Sequence, residues 1–149
     1  MTFEKIGAVL LGTWVAFAPT LGSATVRISE DHGGRIDQYQ RRFAALRSSG
    51  ERVVIDGLCS SACTLVLGAI PRQRICVTPR AVLGFHAAWV FGPSGGPVTS
   101  PFHTRLLWTS YPTSVRSWIS RNGGLTPHMI YLQGHELTAM FAPCEGYRI

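Results

Sequence analysis

The chain has 149 residues, 46% of them apolar and 15% charged, with 16 Gly, 9 Pro and a formal net charge of +6. That length is the prior for one domain, and the composition excludes a disordered tail, a coiled coil and a collagen-like chain. The basic excess is almost all arginine: Lys5 is the only lysine and the other 13 cationic residues are arginines. They are scattered and show no aromatic-basic stripe, which predicts a solvated surface and no nucleic-acid partner.

The chain opens on Lys5, an apolar run from Ile6 to Ala18 and small residues at Gly22-Ser23-Ala24. This pattern predicts a secretory signal peptide over residues 1–24, cut after Ala24, and a mature domain over 25–149 that contains no lysine. The apolar run is short for a membrane span and is broken by Pro19; an uncleaved anchor is the alternative. Thr25–Ser29 is predicted as a strand, Glu30–Gly34 as a turn, and Arg35–Leu46 as a helix with Ile36, Tyr39, Phe43 and Leu46 on one face. Arg52–Asp56 is a second, buried strand, so the segment reads as a right-handed βαβ unit with a parallel pair. After the small-residue turn at Gly57–Ser61 come an apolar segment, Ala62–Ile70, and two short strands, Arg74–Val77 and Ala81–Phe85. Val90–Thr99, rich in Gly and Pro, reads as a flexible loop. The last third reads as helical: Ser100-Pro101 opens Phe102–Tyr111, Val115, Trp118 and Ile119 mark a second helix, and Thr126-Pro127 opens a third through Leu132.

Four cysteines, Cys59, Cys63, Cys76 and Cys144, predict two disulfides in an exported chain, and three pairings are open. Zinc at Cys59 and Cys63 lacks a second ligand pair, so no metal is expected.

The chemistry points to Gly57-Leu58-Cys59-Ser60-Ser61-Ala62-Cys63-Thr64, where small residues make a strand-to-helix turn. A hydroxyl there sits beside unpaired backbone N–H groups and the positive end of the helix, which is what an oxyanion site needs. The ordinary role of such a serine is an N-cap.

The order Gly33-Gly34, amphipathic helix, strand, Ser61-Ala62 at a helix start, then a strand ending in Phe85-His86 resembles the Clp peptidase and crotonase-like superfamily. The likeness spans Val26–Ala88 and is nearest to small predicted periplasmic Clp-class serine protease-like proteins of bacteria, which share a Cys-x-Ser-Ala-Cys-Thr element and a Leu-Gly-Phe-His element. It implies an α/β fold with a repeated ββα (βαβ) spiral core, followed here by a helical C-terminal third. It implies a serine peptidase with Ser61 as nucleophile, His86 as base, and the N–H groups of Gly34 and Ala62 as oxyanion hole. His86 follows Ser61 by 25 positions, in agreement with the peptidase motif, and Arg74–Pro79 is similar to the strand before the peptidase histidine. Ser60 is the rival nucleophile. Only Glu136 and Glu145 follow His86 as carboxylates, and the family's downstream acid corresponds best to Glu136.

Signal-peptide peptidases of the same superfamily use a Ser-Lys dyad, which a lysine-free mature chain cannot build. The acyl-CoA branch is a poor match to an exported compartment. The resemblance implies a hydrolase without cofactor, acting on peptides or unfolded segments; the leader pattern makes it an exported one, and since ATP is absent outside the cytoplasm no ATPase partner is expected. The superfamily's habit of forming trimers or stacked rings leaves a homo-oligomer open. The alternative is a non-catalytic binding or scaffold protein on the same fold. His32 is expected beside Gly33, able to line the same cleft, and His103, His128 and His135 are expected to be solvated.

Overall fold

The computed structural model describes residues 24–146. The expected signal peptide therefore lies, apart from Ala24, outside the described residues. Among the described residues no helix is long and apolar enough to cross a membrane.

The fold is mixed α/β, built on a curled sheet. Strand β1 (Thr25–Asp31), helix α1 (Ile36–Ser49) and strand β2 (Arg52–Ser60) form the expected βαβ unit with a parallel pair. Both strands run further than their apolar cores suggest, because each continues to the same edge of the sheet. Helix α1 buries Phe43 and Leu46 against it. A 3-10 turn (Ser61–Leu65) and the short helix α2 (Val66–Ala69) occupy the apolar segment. Strands β3 (Ile75–Val77) and β4 (Val82–Phe85) follow.

Strand β2 changes partners halfway. β1 pairs with it on both sides of an irregularity near Ser29. On the opposite edge, β3 pairs with Val53–Ile55 and β4 with Leu58–Ser60, both in parallel. The exchange falls at Asp56, which is only 3% exposed. Its carboxylate accepts from Thr78 Oγ1 at 2.7 Å, from the Arg80 guanidinium, and from Arg27 of β1. A buried carboxylate is tolerable because these charged donors replace its water.

Two expectations in the last third are corrected. Val90–Thr99 is a hairpin, β5 (Trp89–Phe91) with β6 (Pro97–Thr99), and not a structureless loop. Its aromatic and β-branched arms pair, while the Gly-Pro-Ser-Gly-Gly stretch only makes the turn. Helices α3 (Pro101–Ser110) and α4 (Thr113–Arg121) form where expected. Thr126-Pro127 opens no helix. Residues Ile130–Gln133 are strand β7, antiparallel to β4. Leu132 is buried and Tyr131 and Gln133 are exposed, a two-residue period that suits the open edge of β4 better than a helix. Helix α5 (Gly134–Thr138) and strand β8 (Ala142–Pro143), beside β3, close the described chain.

The core is centred on Phe85, which is fully buried, edge-on to Tyr111 at 5.3 Å and tilted against Trp118 at 6.0 Å. Truncating such a phenylalanine costs about 3–5 kcal/mol, so the end of β4 is one of the firmest points of the molecule. Two disulfides, Cys59–Cys63 and Cys76–Cys144, use all four cysteines.

Candidate active site

Strands β1, β2 and β4 are parallel, and their C-terminal ends are in register. Asp31 pairs with Cys59, and Ser60 with Gly84. The residues that follow therefore emerge side by side: His32-Gly33-Gly34 after β1, Ser61 after β2, and His86 after β4. Loops at the carboxyl ends of parallel strands are where α/β folds gather their ligand sites. A cavity of about 770 Å³ opens there, and Gly34, Ser61 and His86 all line it.

Ser61 has φ +56°, the only positive φ outside glycine among the described residues. A left-handed conformation costs a non-glycine residue on the order of 1–2 kcal/mol, and strain of this kind clusters at functional sites. The neighbouring backbone is pressed against it. A Cβ added at Gly33 would lie 2.6 Å from the Ser61 Cβ and 2.8 Å from the Ala62 nitrogen. Only glycine, itself at φ +81°, fits there. Ala62, in the first turn after Ser61, has no helical acceptor for its N–H.

Ser60 is placed differently. It is 3% exposed and does not line the cavity, and a Cβ at Gly84 would meet the Ser60 Cβ at 2.8 Å. The rival serine thus packs against β4, and Ser61 is the hydroxyl that reaches the cleft.

Three groups of hydrogen bonds hold this arrangement that the sequence pattern did not single out. Asp31 Oδ1 accepts from Gly33 N at 2.9 Å and from the Tyr39 hydroxyl at 2.5 Å, which fixes the glycine turn. The Asp-x-Gly spelling is the sequence signal for such an Asx turn. Thr64 Oγ1 donates to the Ser61 carbonyl at 2.6 Å, so its own oxygen accepts from the Tyr111 hydroxyl, 2.7 Å away. Burial pushes the Tyr111 hydroxyl up to about 12 against the opposing Thr64 bond, so it stays a neutral donor. Beyond His86 the backbone is pinned as well: Ala87 N donates to Thr126 O at 2.7 Å and Ala88 N to Thr104 Oγ1 at 3.0 Å.

Glu136 is not brought to His86. β7 runs antiparallel to β4, with Ile130 opposite Phe85 and Gln133 opposite Val82. Glu136 lies past the far end of β4, more than about 10 Å of strand from His86. It is exposed and does not line the cavity. Among the described residues the His86 ring has no hydrogen-bond partner. His103, expected in solvent, lines the cavity with its Nδ1 2.8 Å from Ser100 Oγ, and His32 lines it beside Glu30, 2.9 Å away. At the rim, the Arg35 side chain bonds to Asp37, and together with Arg41 it lowers that carboxyl to about 2.

The outer wall is apolar. Trp89 and Phe91 of the hairpin and Phe102 of α3 line the mouth, and Phe91 and Phe102 are 74% and 72% exposed.

No protein-family profile matches the sequence, and no curated protein matches it. Among solved structures the chain is similar to the ClpP1 N165D mutant from Listeria monocytogenes, at 13% identity and a TM-score of 0.45, covering 81% of this chain and 72% of that chain. A likeness of that size carries no functional argument.

Proposed function

We propose that the chain is an exported serine hydrolase, a Clp-like peptidase that works with a Ser61-His86 dyad. Ser61 Oγ attacks the substrate carbonyl carbon, and His86 takes its proton and returns it to the leaving nitrogen as the C–N bond breaks. The N–H groups of Gly34 and Ala62 carry the oxyanion. Water then releases the acyl group by the same route. The observation that carries this reading is the strained Ser61 at the end of β2, opening into the cleft that His86 also lines. The apolar mouth suits peptides or unfolded segments with aromatic or aliphatic side chains. Two disulfides fit an oxidising compartment, in keeping with a leader over residues 1–24. Glu136 has no place in this scheme.

Fluorophosphonate labelling of the purified protein is the test. Labelling that disappears in Ser61→Ala and persists in Ser60→Ala supports the dyad. Absence of labelling in the parent favours the second reading, a non-catalytic binding protein, whose one supporting observation is that the His86 ring has no hydrogen-bond partner among the described residues.

A further inference from the structure

We propose that the Cys59–Cys63 disulfide holds Ser61 in its attacking conformation, so that the site assembles only when these two cysteines are oxidised. The inference rests on the hydrolase reading for its catalytic consequence, but its structural part stands on the geometry alone. The bond spans a sequence separation of four and encloses Ser60, Ser61 and Ala62. These three residues hold the proposed nucleophile, one oxyanion N–H and the single left-handed non-glycine residue of the described chain.

Both ends of the ring are anchored. Cys59 lies in β2, paired with Asp31 on one side and Leu83 on the other, and Cys63 is in the 3-10 turn against the core. A short covalent ring between two fixed points leaves the intervening backbone few conformations. The hydrogen bond from Thr64 to the Ser61 carbonyl constrains the same residue but does not close a ring. Without the bond, Ser61 is free to relax toward the right-handed region that serine prefers, and its Oγ and the Ala62 N–H turn away together.

Both sulfurs are fully buried, Cys59 and Cys63 each at 0% exposure. A solvent reductant does not meet them in the folded protein, so the bond acts during maturation and not as a reversible switch. The two thiols together lose two protons and two electrons to a disulfide oxidant, protein or small molecule, which leaves as two thiols. A reduced chain thus carries the residues of the site without its geometry.

The test is a double cycle in the full chain with Cys76–Cys144 intact. The first arm reads geometry. Ser61→Gly relieves the left-handed strain in the parent and raises its melting temperature by about 2–4 °C. In Cys59→Ala/Cys63→Ala, where residue 61 has relaxed, the same change gives no rise. An equal rise in both backgrounds overturns the proposal. The second arm reads chemistry. The double cysteine variant labels with fluorophosphonate on the order of 10²-fold more slowly than the parent, the size expected for a misplaced nucleophile. Parent-like labelling in the variant overturns the proposal and leaves the hydrolase reading standing. A parent that does not label overturns the hydrolase reading, and the first arm still decides the role of the bond. Cys59→Val/Cys63→Ala, which keeps strand-favouring bulk at position 59, is the second pair. If neither pair regains the parent's circular dichroism, the bond serves the whole fold and the proposal fails.

Discussion

Ser61 and Ser60 are adjacent, yet one opens to the cleft and the other packs on β4. The difference is one step of strand alternation followed by one left-handed residue. Asp31 holds the Gly33 turn that lies against Ser61, and Thr64 bonds the Ser61 carbonyl, beside the ring that Cys59 and Cys63 close. Glu136 stands outside the cleft, exposed and away from His86. Glu136→Gln is accordingly expected to label at the parent rate and to melt within about 0.5 kcal/mol of it, as for any exposed carboxylate outside a network. A tenfold loss of labelling in that variant would restore the carboxylate to the site. That Gly34, Ser61 and His86 would share one cleft was legible in the sequence, because each follows a parallel strand within three residues and local spacing locates it. Glu136 was not, because its position depends on which way a distant strand runs.

At the level of elements, the change of partners along β2 sets which strands lie beside the cleft. Asp56 ties β1, β2 and the β3–β4 connection through Arg27, Thr78 and Arg80. Its carboxyl is held well below the ordinary 3.8, first by the Arg80 hydrogen bond, then by Thr78 and Arg27, against the opposing cost of burial. A depressed folded-state pKa means that the stability it contributes is complete above the unfolded value near 3.8. That contribution is lost as pH falls from there through the folded value. Asp56→Asn should therefore melt well below the parent at pH 7, and the gap should narrow as the pH drops below about 4. Melting curves from pH 2 to 8 check this, and a gap that stays constant would mean that the Asp56 charge does not hold the two halves of β2 together. The βαβ unit was readable because an amphipathic helix between two β-branched runs carries its own signal. β7 was misread because Thr126-Pro127 is a local capping signal, whereas the strand answers to the open edge of β4, a property of the tertiary fold. The alternation of Ile130, Tyr131, Leu132 and Gln133 was the one trace of it in the sequence. The hairpin was hidden in the same way by its glycine-rich turn.

For the whole molecule, the two disulfides do unequal work. The Cys76–Cys144 bond closes a sequence separation of 68, and loop entropy assigns it about 4 kcal/mol, against about 2 kcal/mol for the four-residue separation of Cys59–Cys63. Cys76→Ala/Cys144→Ala should thus cost the protein a large part of a typical domain's stability, measurable as a lower urea midpoint with a steeper slope, since the denatured chain without the cross-link is more open. The native protein should show no free thiol before denaturation and reduction. That two bonds would form was legible from an even count of four cysteines behind an expected leader. Their pairing was not, because it depends on β8 returning beside β3.

The longer of these bonds has another consequence. The tip of the β5–β6 hairpin, Pro93–Gly96, is exposed and lies inside the stretch that Cys76 and Cys144 close. A protease that clips the backbone there cannot release either piece. The nicked protein keeps the parent's mobility on a non-reducing gel and splits into two bands only when a thiol is added. The chain can therefore survive in a protease-rich compartment as a two-piece molecule, with Ser61 on one piece and His86, which precedes the clip, still on the same one.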